Sequence, residues 1–256
     1  MGTDRENGSL YTKIEKGIAR VEFGHPASNS FVAVLLDRLA KEFHALSGNP
    51  DVSVIVLKSE GEKAFCAGAS FDELLAVSNM EEGKVFFSGF ANVINAMRTC
   101  KKVIVGRVQG KTVGGGVGLA AACDYVFASE QAAIKLSEIS IGIGPLVIAP
   151  AVERKMGKAA LAELTFAATE WKNAYWAQEK GLYAKVFDDV RELDTALELF
   201  TEKLASYNPE ALHSMKKVLW EGTEHWDTLL QERALMSGTL VLSDFTKKAL
   251  ATFKNK

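Results

Sequence analysis

Two near-continuous apolar runs, VSVIVL at 52–57 and VIVGRV at 103–108, constrain this chain more than any other feature. Strands without polar alternation have to be covered on both faces. Between them Phe86, Phe90, Val93, Ile94 and Met97 recur on one helical face, so the segment reads strand, helix, strand, the crossover unit of a largely parallel sheet. Residues 10–23 alternate around Gly17 and predict an opening hairpin. From Ser30, a predicted N-cap, Val32, Leu35, Leu36, Leu39, Phe43 and Leu46 predict a helix. Short strands are expected at YVFA after Asp124 and near Ala133. Beyond about residue 145 the pattern turns helical, with one stripe over Leu193, Ala196, Leu197, Phe200 and Leu204 and another over Trp226, Leu229, Leu230 and Arg233. The expected organisation is an α/β body over residues 1–190 and a helical region over 191–256, with no Pro/Gly/Ser linker between them.

Composition narrows the function classes. Of 256 residues 48% are hydrophobic and 24% charged, and the formal net charge of -2 carries no electrostatic footprint for nucleic acid or an anionic membrane. The longest apolar stretch, 141–152, is broken by Gly and Pro and is too short to span a bilayer. The N-terminal residues lack the apolar core of a secretory signal, so a cytoplasmic protein is expected. Cys66, Cys100 and Cys123 are far apart, with no CxxC and no histidine at ligand spacing, so they are expected in the core and no metal site is expected. His25 precedes Pro26 in a turn and His44 shares a polar helix side with Asp37 and Lys41, and neither is assigned a catalytic role.

The chemistry concentrates in TVGGGVGLAAACD (112–124), where four of the five positions 114–118 are glycine. A dinucleotide fingerprint beginning at Gly114 would need glycine at 119, where Leu119 stands. GRVQGKT (106–112) places its first glycine one residue too close to Gly110 for a P-loop. Close helix packing accounts for one or two of these glycines. The remaining reason is a backbone N–H that approaches a ligand, as an oxyanion-hole donor does. Such a hole usually takes two donors, and the small residues of GEKAFCAGASFDEL (61–74) offer the second turn.

KAFCAGASFDEL (63–74), VQGKTVGGGVGLAAACDYVFAS (108–129) and IKLSEISIGIGP (134–145), in this order and spacing, resemble the enoyl-CoA hydratase/isomerase (crotonase) superfamily over nearly the whole chain. The resemblance implies a spiral of ββα units with a helical C-terminal trimerisation region, a homotrimer or hexamer, and acyl-CoA thioesters as substrates, coenzyme A entering as part of the substrate and no other cofactor. By motif position the oxyanion donors are the N–H groups of Ala69 and Gly115, with Ala67, Gly68, Gly114, Gly118 and Phe253 expected around the substrate. Similar hydratases carry two glutamates. Here the first position is Gly118, and only Glu138 remains.

The expectation is a single-glutamate hydratase of 2-enoyl-CoA esters, the alternatives being a double-bond isomerase or a non-catalytic acyl-CoA-binding protein. ISIGIGPLVIAPAVERKMG resembles a branch acting on branched or dicarboxylic esters such as 3-methylglutaconyl-CoA of leucine breakdown, with room for a β-methyl group expected at Gly118. Arg154 and Lys155 are expected as a solvated basic turn that could alternatively meet a second carboxylate. Asp72 and Glu73 are candidates for a substitute acid, and Asp124 for a cap or buried polar contact.

Overall fold

The computed structural model describes residues 5–254. The opening hairpin forms as its alternation predicts: β1 (Ser9–Glu15) pairs antiparallel with β2 (Ile18–Gly24) across a turn in which Lys16 and Gly17 both have positive φ. The chain then crosses over through α1 (Ala33–Gly48), which buries Leu35, Leu36, Leu39, Phe43 and Leu46, and returns as β3 (Val54–Ser59) parallel to β2. Val32, rather than the predicted Ser30, occupies the N-cap. Ser30 is held instead beside His25 in the preceding turn. A distant carboxylate meets the helix start, Glu73 Oε2 accepting from the Ala33 N–H at 2.8 Å.

From β3 the chain runs three times through a long strand, a short strand and helix. β3 is followed by β4 (Ala64–Cys66), α2 (Phe71–Ala76) and α3 (Met80–Thr99). β5 (Val103–Val108) leads to β6 (Lys111–Val113) and α4 (Gly115–Ala122); β7 (Tyr125–Ser129) leads to β8 (Ile134–Lys135), a 3₁₀ turn over Glu138–Ile141, and α5 (Ala149–Met156). After α6 (Lys158–Phe166) and α7 (Ala174–Glu179), β9 (Lys185–Phe187) closes a six-stranded sheet of order β1-β2-β3-β5-β7-β9. The short strands form a second, parallel sheet, β4-β6-β8. This is the expected spiral of ββα units. β4, β6 and β9, three residues each, escape a reading by periodicity because three residues show no period.

The expected C-terminal helices are α8 (Val190–Ala205), α9 (Pro209–Leu219), α10 (Trp226–Leu240) and α11 (Asp244–Lys254). They share the core of the α/β body. Leu193 and Leu197 of α8 cover the main sheet with Ile18, Val54, Val105 and Phe127. Trp226, Leu230 and Ala234 of α10 join the central cluster. α10 lies against α3 where Gly83 meets Gly238, so close that a Cβ built on Gly83 would stand 2.8 Å from the Gly238 Cα. The three cysteines are buried and free, as expected. Among the described residues no helix is long and apolar enough to cross a membrane.

Candidate active site

The three short strands deliver the site. Register pairs Cys66 with Thr112 and Val113 with Lys135, so the residues just beyond each strand, 67–69, 114–115 and 137–138, come together at one end of the small sheet. Ligands of parallel α/β sheets commonly sit beyond the carboxyl ends of the strands. A cavity of about 160 Å³ opens there. Ala67, Gly68, Ala69, Gly114, Gly115 and Glu138 line it, and its remaining walls are mainly apolar, including Phe86, Phe87 and Phe90 of α3 and Ile141, Ile143 and Ile148 beyond Glu138.

Both turns present bare N–H groups. In the first, Gly68 at φ +94° accepts from the Phe31 N–H and the Ser70 N–H donates to the Phe31 carbonyl, both at 2.8 Å, which leaves the Ala69 N–H between them without an acceptor among the described residues. In the second, Gly114 at φ +55° donates to the Lys135 carbonyl, and the Gly115 N–H that opens α4 has no acceptor among the described residues. The turns touch, since a Cβ on Gly68 would stand 3.3 Å from the Val113 carbonyl oxygen and 4.0 Å from the Gly115 nitrogen. Gly114 also lets the acid approach, because a Cβ there would lie 2.8 Å from Glu138 Oε1.

Glu138 begins the 3₁₀ turn and sends its carboxylate inward. Oε2 is buried and has no hydrogen-bond partner among the described residues. Burial pushes its pKa up to about 7, opposed only by a hydrogen bond from its own backbone. The turn is held from outside by α11: a Cβ on Gly142 would collide with the Thr246 hydroxyl.

Several expectations about neighbouring residues change. The room expected beside Gly118 is occupied, because a Cβ there would stand 2.4 Å from Cγ2 of Ile148, and Gly118 does not line the cavity. Packing accounts for more of the glycines than expected, since side chains at Gly115 and Gly116 would strike Phe90 and Cys66. Asp72 is exposed and Glu73 is committed to the start of α1, so neither stands in as a second acid; α2 meets the cavity through Phe71 and Leu74. Arg154 and Lys155 are half-buried and engaged at the end of α5 rather than a free solvated turn. Arg154 stacks on the Trp220 ring at 3.7 Å and donates to the Leu219 carbonyl, while Lys155 donates to the carbonyls of Cys123 and Asp124 at 2.9 and 3.0 Å. Asp124 makes the buried polar contact expected of it. The side chain of Phe253 lies outside the described residues. Ile148 and the α3 phenylalanines went unnamed as site residues by sequence reasoning, although Phe86 and Phe90 were legible as a buried stripe.

The family model described as enoyl-CoA hydratase/isomerase matches residues 13–256. The chain is 29% identical over 227 residues to the peroxisomal Δ(3,5)-Δ(2,4)-dienoyl-CoA isomerase of Arabidopsis thaliana, covering 82% of this chain and 80% of the relative. It is 31% identical over 201 residues to the mitochondrial methylglutaconyl-CoA hydratase of Rattus norvegicus, covering 77% of this chain and 63% of that one. The crystal structure of an enoyl-CoA hydratase from Bacillus halodurans superposes with a TM-score of 0.88 at 20% identity, covering 95% and 99% of the two chains, which speaks for the fold.

Proposed function

This chain belongs to the enoyl-CoA hydratase/isomerase family and is an enzyme of that family, and we propose that it moves a double bond within an enoyl-CoA thioester by transferring one proton. The observation that carries this is the Glu138 carboxylate, whose buried Oε2 has no partner among the described residues, beside two N–H groups without acceptors among them in an otherwise largely apolar cavity. With the thioester oxygen on the Ala69 and Gly115 N–H groups, Glu138 in its ionised form takes a proton from the α-carbon. The electrons move into a dienolate whose oxygen the two donors hold, aided by the N-terminal dipole of α4. The protonated acid then returns the proton to the γ-carbon, giving the 2-enoyl isomer with no net change in atoms. A pKa near 7 suits both halves, since base and acid forms coexist near neutrality.

Ile148 is the physical reason for placing isomerisation ahead of the hydration expected from the sequence. An attacking water needs two or more polar partners, and the space where a second glutamate would hold it is filled by an aliphatic side chain. Hydration stands as the second reading, favoured by the name of the hydratase relative. The 3-methylglutaconyl ester fits less well, because its second carboxylate would enter a cavity lined by no Lys or Arg among the described residues. The reaction calls for no metal, flavin or nicotinamide. Exposed apolar residues on α9 and α10, among them Met215, Val218, Leu219, Leu235 and Met236, support the reading of a homotrimer or hexamer.

Product analysis tests the reaction. A 3-enoyl-CoA should give the 2-enoyl ester with hydrogen from the α-carbon carried to the γ-carbon, whereas crotonyl-CoA should stay unhydrated. Accumulation of a 3-hydroxyacyl ester from crotonyl-CoA, with the 3-enoyl ester untouched, would reverse the order of the two readings.

A further inference from the structure

Besides Ser137 and Glu138, one further polar residue lines the cavity, from near the opposite end of the sequence. Ser237 of α10 lines it and is 1% exposed, and its Oγ has no hydrogen-bond partner among the described residues. A hydroxyl in a helix has an easy default, the carbonyl four residues back. Five helical threonines take it: Thr99, Thr195, Thr201, Thr239 and Thr252 donate to that carbonyl at 2.8–3.0 Å. Thr239 does so two residues further along the same helix as Ser237. The Ser237 hydroxyl forgoes this bond at a position where the close approach of Gly83 and Gly238 lays α10 against α3, the helix that carries Phe86, Phe87 and Phe90 into the cavity. A buried hydroxyl without a partner costs stability, so a position that retains one calls for a ligand that completes it.

We propose that Ser237 is a specificity-determining residue that hydrogen-bonds an uncharged oxygen on the acyl chain, a hydroxyl or carbonyl distal to the thioester. The oxygen is uncharged because the cavity is lined by no Lys, Arg or His among the described residues and already holds the Glu138 carboxylate. It belongs to the acyl group rather than to a bound water because the walls are mainly apolar and give a water few further partners. The substrate class is then an oxygenated enoyl-CoA rather than a plain hydrocarbon one. This inference rests on the proposed acyl-CoA site and names what that site selects.

Binding tests it independently of turnover. Calorimetry would compare 4-hydroxybutyryl-CoA and 5-hydroxyvaleryl-CoA with butyryl-CoA and valeryl-CoA, for wild type and Ser237→Ala. The wild type should favour at least one hydroxylated ester over its parent, and Ser237→Ala should lower that preference about tenfold, the size of one well-made hydrogen bond. The variant should melt no lower than wild type, since no protein group loses a partner. Ser237→Cys, which keeps the volume and weakens the donor, should fall between the two and replaces the alanine variant should that one fail to fold. An unchanged preference, an equal weakening of all four esters as a structural or water-holding role predicts, or no binding of either hydroxylated ester overturns the inference. A removed preference in a protein whose Glu138→Gln variant stays fully active would overturn the reaction proposed above and leave this inference standing. An unchanged preference alongside an inactive Glu138→Gln would do the reverse.

Discussion

Two carboxylates are turned inward at opposite ends of α4, and they are treated in opposite ways. Asp124, just past its C-terminus, has every oxygen engaged: Oδ2 accepts from the Ile104 N–H at 2.8 Å and pairs with Lys216 Nζ at 2.9 Å, and Oδ1 accepts from Trp220 Nε1 at 2.8 Å. The pair is dry, with side-chain exposures of 4% for Asp124 and 2% for Lys216. Lys155 adds a cation at the helix end, where the dipole favours it. Glu138, against the glycine cap at the N-terminus of α4, has a buried Oε2 with no partner among the described residues. One carboxylate is paired with a cation and ties α4, β5 and α9 together. The other is left free to bind and release a proton. The difference teaches that burial alone does not mark a functional acid in this fold; burial without a partner does.

The largest effect expected from breaking this contrast lies at the paired end. Asp124→Asn leaves the Lys216 ammonium buried without its counter-charge, and removal of one member of such a pair typically costs about 3–5 kcal/mol. Urea unfolding should register that loss, while the turnover of the remaining folded protein stays close to wild type.

At the unpaired end the sign reverses. The folded-state pKa of Glu138 is raised from 4.5 to about 7, so between those values the native state keeps a proton that the unfolded chain has released. Native stability therefore falls as pH rises through that window. Glu138→Gln cannot ionise and escapes the fall, so it should be the more stable protein by about 3 kcal/mol above pH 7, at 1.36 kcal/mol for each unit of pKa, with the advantage closing toward pH 4.5. Unfolding curves of both proteins at about pH 5 and pH 8 check this, and a constant gap would contradict it.

A smaller effect sharpens the contrast by adding a second acid. Gly118→Glu forces a side chain into Ile148 and should cost about 1–3 kcal/mol from overpacking. Paired with Ile148→Ala it should recover part of that loss, a coupling that a double-mutant cycle measures.

How much of this was legible in the sequence follows the range of the contacts involved. Strands β3 and β5 and helices α1 and α3 are carried by local periodicity, and their buried residues are the ones that periodicity names. The glycine run was legible as bare backbone, but the reasons for its separate glycines were not. Gly114 faces Glu138, Gly115 faces Phe90, Gly116 faces Cys66 and Gly118 faces Ile148, partners 24 to 50 residues away along the chain. The absence of spare room at Gly118 therefore needed the fold. Glu138 was found by resemblance, because an isolated Glu carries no periodic signal. Ser237 had one that went unused, since the buried positions Trp226, Leu230 and Ala234 continue at helical spacing to a polar residue.

The central claim, that the single Glu138 carboxylate moves the proton, is tested most directly by the pH dependence of kcat/KM for a 3-enoyl-CoA with wild type and Glu138→Gln. The base form must be ionised in the free enzyme, so the wild-type value should rise through pH about 7 and level off above it. In Glu138→Gln the rate should drop by about 10²-fold or more and that rising limb should vanish. A variant that keeps its rate, or a wild-type limb that stays near the ordinary carboxylate range, would contradict the account.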